Sequence, residues 1–215
     1  IRHPNAWYFR QFLQNLSVSK LTEREKYSII RICELNFVGR HPTPIRLRAM
    51  WVLHALNKTI SESWLSDPDE HIRAWVIRLM MDDQPIDTLF GTREKALPKI
   101  SPELVQKLVQ QAQVDSSGLV RLTLASALQR LPVESRGELA KALAFRSKDK
   151  NDHNLPLVVW AGITPLVELD PEKLLDIARI TEWSNLRTWI ARAITERSKE
   201  NPVSFNTLLE LLGDQ

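Results

Sequence analysis

Apolar residues recur every three or four positions along most of the chain, as they do in amphipathic helices. Leu104, Leu108 and Ala112 show this spacing in one segment, and Leu174 and Ile177 show it in another. Convincing alternation with a period of two, which would indicate strands, is missing. The pattern therefore predicts an all-α chain of about twelve short helices.

Helix-start signals separate these apolar segments. Thr22 and Glu25 have the spacing of a capping box. Ser101 precedes Pro102 and Glu103, which is the order of an N-cap, a first helical position and an acidic first turn. Similar signals recur further along, at 170–172 and 201–202. Glycine is rare at 6 residues and proline common at 12, which also favours helices over strands.

Blocks of eight or nine residues recur within the helical pattern, each with an arginine at its second position. The block VRLTLASAL at 120–128 resembles IRAWVIRLM at 72–80 and LRTWIARAI at 186–194. Looser copies are LRAMWVLHA at 47–55 and FRQFLQNL at 9–16. The mean spacing of about 35 residues is that of helical-pair repeats, although the individual intervals vary.

The repeats predict one domain over 1–215, a right-handed α-solenoid of about six irregular HEAT-like helix pairs. The segment 82–100 breaks the rhythm, and we expect it to be an irregular connection between two halves of the solenoid. The polar stretch 146–154 predicts a solvated loop between repeats.

Two of the recurring arginines follow an aspartate by six residues. Asp67 precedes Arg73, and Asp115 precedes Arg121. An arginine in an apolar helix is costly to bury unless a carboxylate compensates it, so we expect a structural ladder in which each arginine meets the aspartate of its own or the adjacent turn. Arg10, Arg48 and Arg187 lack an aspartate at this offset, and for them a solvated position remains open.

Positive charge is concentrated in the first 58 residues. They hold ten Lys and Arg against three Glu, a net charge of 10 − 3 = +7, while the other 157 residues hold 19 against 23, a net charge of −4. Such a basic region suits nucleic acid, an acidic partner or an acidic neighbouring domain. Together with tryptophans near helix ends, arginines of the repeats form a candidate interaction surface: Trp7, Arg10, Arg46, Arg48, Trp183 and Arg187.

Motifs for catalysis, cofactors or metals are missing from the sequence. The five histidines include no pair four residues apart, and the single Cys33 excludes a CxxCH haem site and a cysteine-rich zinc site within this chain. There is no nucleophile elbow, phosphate-binding loop or dinucleotide fingerprint. We therefore expect no catalytic, cofactor-binding or metal-binding residue in the chain, and no enzyme.

The chain shows no apolar run long enough for a membrane span and no signal peptide in its first residues. It begins at Ile1, within what reads as a structural unit. We therefore interpret the sequence as a piece of a larger protein.

Two blocks go beyond a general HEAT pattern, LVRLTLASALQRLP at 119–132 and DHNLPLVVWAGITPLVELDP at 152–171. With HPNAWYFRQFLQ, MWVLHAL and DPDEHIRAWVIRLM, in this order, they resemble the HEAT-repeat region of bacterial PVC-type haem-binding CxxCH proteins, also called membrane-bound dehydrogenase-domain proteins. The resemblance covers nearly the whole chain and is least specific at 82–100.

The resemblance implies a parent protein with an N-terminal β-propeller similar to sorbosone dehydrogenases and a cytochrome c-like domain that carries haem c. The present chain would then be a non-catalytic connector between these domains, and the resemblance implies an exported, periplasmic protein because such parents are usually exported. No catalytic residue is implied here, and any haem lies elsewhere in the parent.

Two other functions remain open from the sequence. Some HEAT-like proteins are DNA glycosylases or other DNA-binding proteins that hold a duplex with arginines and tryptophans, which the basic N-terminal part and the seven tryptophans suit. A general protein-docking module, or a repeat protein similar to phycobilin lyases, is a third alternative.

Overall fold

The computed structural model of the chain describes residues 1–87 and 100–213. These residues form twelve α-helices and contain no strand, so the prediction of an all-α chain is confirmed. The helices are α1 (Ala6–Val18), α2 (Glu23–Val38), α3 (Thr43–Ala55), α4 (Glu70–Met80), α5 (Pro102–Val114), α6 (Gly118–Ala127), α7 (Arg136–Ala144), α8 (Leu155–Ile163), α9 (Leu166–Leu169), α10 (Pro171–Ile180), α11 (Ser184–Glu196) and α12 (Pro202–Gly213).

The helices begin where the capping signals indicate. At α2 the Thr22 hydroxyl accepts the backbone N–H of Glu25 at 3.3 Å, and the Glu25 carboxylate accepts the backbone N–H of Thr22 at 2.8 Å, which completes the capping box. At α5 the Ser101 hydroxyl accepts the backbone N–H of Leu104 at 3.1 Å. Short 3₁₀ turns add to these elements at Glu62–Ser66, Leu128–Arg130, Val133–Ser135 and Ser147–Asp149.

Close contacts divide the chain into two compact units, Ile1–Met80 and Met81–Gln215. One domain over 1–215 stays a prediction from the sequence. Most of the predicted irregular segment 82–100 lies outside the described residues, since only 82–87 and 100 are described.

In the first unit, α2 packs along α3, and α3 also contacts α1 and α4. The core contains side chains from the helices that meet there, among them Cys33, Phe37, Met50, Leu53 and Ile72, each at most 2% exposed. These residues recur at helical spacing, and their removal from water supplies the main stabilisation of the unit.

In the second unit, alternate helices of the chain lie side by side. α5 packs on α7, α7 on α10 and α10 on α12, and these helices form one row. A second row consists of α6, α8 and α11. Contacts between consecutive helices join the rows, for example between α7 and α8 and between α10 and α11. Leucines from both rows, such as Leu108, Leu124 and Leu139, are fully buried between them.

Candidate interaction surface and turn arginines

The turn before α4 is organised by two aspartates. One carboxylate oxygen of Asp67 accepts the backbone N–H of Asp69 at 2.9 Å, and Asp69 in turn accepts the backbone N–H of His71 at 2.9 Å. Arg73 closes the turn from inside the helix, because its Nη1 donates to the backbone carbonyls of Asp67 at 2.7 Å and Pro68 at 3.1 Å. Asp69 also accepts a hydrogen bond from the Thr43 hydroxyl. The pKa of the Asp69 carboxyl is lowered: burial would raise it, but these hydrogen bonds outweigh burial.

The turn before α6 repeats this geometry. Asp115 accepts the backbone N–H of Ser117 at 2.8 Å through its carboxylate, and its backbone carbonyl accepts Nη1 of Arg121 at 3.0 Å. The other carboxylate oxygen accepts the side-chain amide of Gln111 at 2.6 Å. Arg73 and Arg121 thus reach the turns that the sequence indicated, but in both cases they contact the backbone carbonyl of the aspartate.

The carboxylate that compensates Arg121 is Asp149, 28 residues further along the chain. Nε of Arg121 donates to Oδ2 at 2.5 Å and Nη2 donates to Oδ1 at 2.6 Å, which makes the pair bidentate. Only 4% of the Arg121 side chain and 9% of the Asp149 side chain are exposed. Here the expectation of a solvated loop at 146–154 is wrong for Asp149, because its side chain is buried at the end of the 3₁₀ turn Ser147–Asp149.

Arg46 belongs to the same kind of internal network. It donates from both terminal nitrogens to the carboxylate of Asp67, and its Nε donates to the backbone carbonyl of Phe37 at 3.0 Å. Its guanidinium also lies over the Phe37 ring, 5.0 Å from the centroid. Because these contacts occupy its donors, Arg46 does not belong to the predicted interaction surface. The Asp67 carboxylate pairs with Arg46, whereas Arg73 contacts the Asp67 backbone carbonyl.

The prediction that Trp183 belongs to that surface is also wrong, because Trp183 is fully buried. Its indole N–H donates to the backbone carbonyl of Arg146 at 3.0 Å, and its backbone N–H donates to the Thr181 hydroxyl at 3.1 Å. The residue stands immediately before α11, a position that the sequence read as a partly exposed helix end. Tertiary packing of the second unit covers it instead.

The remaining members of the predicted surface differ in exposure. Trp7 is half exposed and Arg10 is exposed, both on α1. Arg187 on α11 is half-buried. Arg48 is half-buried and partly occupied, since its Nη1 donates to the backbone carbonyls of Ile1 and His3 at 3.0 and 2.6 Å. Arg187 lies in the second unit, and the other three residues lie in the first.

Two arginines that bind residues 81–87 within the second unit have no recognisable signal in the sequence. Arg136 is fully buried and donates to the backbone carbonyls of Leu131 at 2.9 Å and Gly162 at 2.8 Å and to the carboxylate of Asp87 at 2.9 Å. Arg130 donates to the backbone carbonyl of Gln84 at 2.5 Å. Their partners lie 26 to 49 residues away or are backbone carbonyls, so a local motif search cannot find them.

Four half-buried tryptophans pair within their own units. The rings of Trp51 and Trp75 meet edge to face at 4.7 Å in the first unit, and those of Trp160 and Trp189 lie 6.4 Å apart in the second. These contacts agree with the packing role that their apolar register indicates. The Trp51 indole N–H is buried and has no partner within the described residues.

A cleft of about 540 Å³ opens between α5, α7 and α10 in the second unit. Apolar side chains such as Phe145 and Ile180 line it, with Glu138 and Lys141 as opposite charges. Arg146 also lines it, but its guanidinium donates to the backbone carbonyl of Asp115 at 3.0 Å and to that of Gln113. The cleft suits apolar contact better than acid–base chemistry.

The described residues contain no group of three or more His, Cys, Asp or Glu side chains that could hold a metal ion. Cys33 is buried in the first unit, and burial raises the pKa of its thiol to about 11. None of the helices in the described part of the chain is both long and apolar enough to cross a membrane.

Compared with protein-family models, with curated proteins and with solved structures, the chain gives no match.

Proposed function

We propose that the chain is a non-catalytic helical-repeat scaffold of the HEAT type, which mediates contacts between proteins or between domains of one parent protein. The observation that carries the proposal is the repeated turn geometry before α4 and α6. In both turns an aspartate carboxylate accepts the backbone N–H two residues on, and an arginine six residues on donates to the aspartate carbonyl. Recurrence of one structural unit along a chain is typical of repeat proteins, whose common role is to present a binding surface.

The packing within the second unit supports the same proposal. Alternate helices pack side by side in two rows, which is how helix pairs stack in HEAT-type repeats. We extend the proposal to a right-handed solenoid of about six helix pairs. In the wider parent protein, the resemblance of the blocks at 119–132 and 152–171 supports a connector between a dehydrogenase-like β-propeller and a cytochrome c-like domain, in an exported protein.

Small-angle X-ray scattering of the whole chain tests the solenoid. A compact domain of this length has a radius of gyration of about 17 Å, and a stack of six helix pairs is longer in one direction. We expect a radius of gyration of about 20 Å or more. A value near 17 Å, with a symmetric distance distribution, would contradict the solenoid.

The connector role requires a separate test. The parent gene is sequenced on both sides of this chain, and each flanking domain is expressed and titrated against the chain by isothermal calorimetry. We expect a propeller-like region upstream, a CxxCH motif downstream, and saturable binding of at least one of them. A reading frame without such domains would refute the connector role, and steeply salt-dependent duplex binding would favour the DNA-binding alternative.

A further inference from the structure

Exposed apolar side chains are concentrated in α1 and α2. Of the fifteen large hydrophobic side chains that are exposed in the described residues, eight lie between Trp7 and Val38. Four of the eight are on α2: Tyr27, Ile32, Leu35 and Val38, each more than half exposed. Contiguous exposed apolar groups of this kind mark interaction sites on soluble proteins.

These α2 residues lie on the side of the helix that faces away from α3. The buried residues Cys33, Asn36 and Phe37 form the opposite side. With about 3.6 residues per turn, positions 24, 27, 31, 35 and 38 fall on one strip of the helix surface, and position 32 lies beside it. We call this surface the basic apolar face of α2, and define it by six exposed residues: Arg24, Tyr27, Arg31, Ile32, Leu35 and Val38.

The basic apolar face carries positive charge without a compensating carboxylate. The acids of α2 are engaged elsewhere: Glu23 pairs with Lys26 at 2.8 Å, Glu25 completes the capping box, and Glu34 lies 3.7 Å from Lys58. The side chains of Arg24 and Arg31 make no hydrogen bond or ion pair within the described part of the chain. Two guanidinium groups are therefore available to a partner.

We propose that the basic apolar face of α2 docks an acidic amphipathic helix of a partner protein. This inference rests on the proposed scaffold function and names one of its contact surfaces. The partner helix would cover Tyr27, Leu35 and Val38 with its own apolar residues and meet the two arginines with carboxylates. Arginine and carboxylate groups pair in a bidentate geometry, which adds orientation to the contact.

The position of the arginines favours a protein over a membrane surface. Helices that bind membranes keep their basic residues on the polar face and insert the apolar face among the acyl chains. On α2, Arg24 and Arg31 lie between Tyr27 and Val38 on one side and Leu35 on the other, so insertion would carry both guanidinium groups into the acyl region. A carboxylate-bearing helix satisfies the charges and the apolar side chains together.

The same mixture of side chains disfavours nucleic acid. Phosphate groups would satisfy Arg24 and Arg31, and Tyr27 could stack on a base. Ile32, Leu35 and Val38 would gain nothing from a phosphate backbone and would remain exposed. Apolar side chains of a protein partner bury them.

The spacing of the arginines fixes the pattern of the partner. Arg24 and Arg31 are seven residues apart, about two turns or roughly 10.5 Å along the helix. A partner helix packed along α2 matches them with Asp or Glu at positions seven apart, flanked by Leu or Ile. Heptads with one acid among two apolar positions have this pattern.

The test uses two labelled peptides of about three heptads each, with Leu at two positions per heptad and either Glu or Lys between them. Fluorescence anisotropy measures their affinity for the whole chain. We expect the Glu peptide to bind roughly tenfold or more tightly than the Lys peptide. In the double variant Arg24→Glu/Arg31→Glu this preference is expected to reverse, which a merely unfolded protein cannot produce.

Arg192→Glu is the matched control, since Arg192 is an exposed arginine on α11 in the second unit. It should leave the preference for the Glu peptide unchanged. Equal binding of both peptides, or Glu-peptide binding that survives Arg24→Glu/Arg31→Glu, would overturn the proposal. Binding of anionic vesicles or duplex DNA that requires Arg24 and Arg31, without peptide binding, would also overturn it.

The outcome is separable from the scaffold proposal. If the double variant retains its affinity for the flanking domains, the basic apolar face is not the docking site although the scaffold function stands. If scattering shows a compact particle, the solenoid is contradicted whatever the peptides do.

Discussion

At the scale of single residues, the structure explains how the apolar helix α6 contains a buried arginine. One terminal nitrogen of Arg121 donates to the backbone carbonyl of Asp115, and Nε and the other terminal nitrogen form a bidentate pair with Asp149. Both charges are nearly removed from water, so each depends on the other: the attraction offsets a desolvation cost that neither group could bear alone. The pair also ties the turn before α6 to the 3₁₀ turn that contains Asp149.

Replacement of Arg121 by alanine is therefore expected to destabilise the fold strongly. Arg121→Ala leaves the Asp149 carboxylate buried without its cation, and breaking a buried pair in this way costs about 3–5 kcal/mol. Urea unfolding followed by circular dichroism measures the free energy of unfolding. The control Arg192→Ala changes an exposed arginine and should alter it by no more than about 0.5 kcal/mol. An unchanged midpoint for Arg121→Ala would refute this account of the pair.

Cys33 provides a second prediction at this scale. Burial raises the pKa of its thiol to about 11, from an ordinary value of 9.0, so at pH 9 the folded chain holds roughly fiftyfold less thiolate than an ordinary thiol does. Iodoacetamide, which reacts with the thiolate, should alkylate the native chain at least that much more slowly than the chain in guanidinium. Mass spectrometry follows the reaction, and similar rates in both states would show that Cys33 is accessible.

The same shift has a consequence for stability at high pH. Because the folded-state pKa lies above the unfolded one, the contribution of the neutral buried thiol is complete below pH 9 and is lost as the pH rises through about 11. Cys33→Ala should remove this part of the alkaline destabilisation.

At the scale of elements, the helices were predictable from sequence because their signals are local. The capping box at Thr22 and the N-cap at Ser101 act within three residues, and both are present. The partners of the arginines were not predictable, because Asp149 and Asp87 lie far along the chain in stretches that read as polar loops. The burial of Trp183 was not predictable either, since only tertiary packing decides whether a residue just before a helix is buried or exposed.

Two glycines within helices give a matched pair of predictions on helix packing. A Cβ on Gly162 of α8 would lie 2.5 Å from the Cβ of Leu128, a residue that is itself fully buried. Gly162→Ala should therefore destabilise by about 1–3 kcal/mol, although alanine is the better helix former. A Cβ on Gly137 of α7 would meet only the flexible Lys173 side chain, at 2.7 Å. Gly137→Ala should be nearly neutral.

Thermal unfolding of both glycine variants decides between packing and helix propensity. If helix propensity dominates, both variants gain stability, and this result would contradict the tight packing of α8 against Leu128. If packing dominates, only Gly162→Ala loses it. Leu128→Ala combined with Gly162→Ala should leave the closest contact in place, because alanine keeps the Cβ that the new Cβ would meet at 2.5 Å.

At the scale of the whole molecule, half of the basic residues in the first 58 positions are free to contact a partner. Five of the ten basic residues there are held by internal contacts: Arg2, Lys26, Arg46, Arg48 and Lys58. The other five are exposed and make no hydrogen bond or ion pair in the described part of the chain: Arg10, Lys20, Arg24, Arg31 and Arg40. The net charge of +7 from the sequence therefore overstates the number of cations that are free to bind a polyanion.

This count leads to a prediction for nucleic acid. Each phosphate neutralised on a duplex contributes about −0.9 to the slope of log affinity against log salt, so the five cations of this region contribute a slope no steeper than about −4.5. We expect weak binding of a duplex of about 20 base pairs at low salt and no saturable binding near 150 mM. Fluorescence anisotropy over a salt series measures both quantities. Saturable binding at 150 mM that Trp7→Ala and Arg10→Ala abolish would instead establish the DNA-binding alternative, because those two residues are the exposed aromatic and basic groups that a duplex would meet on α1.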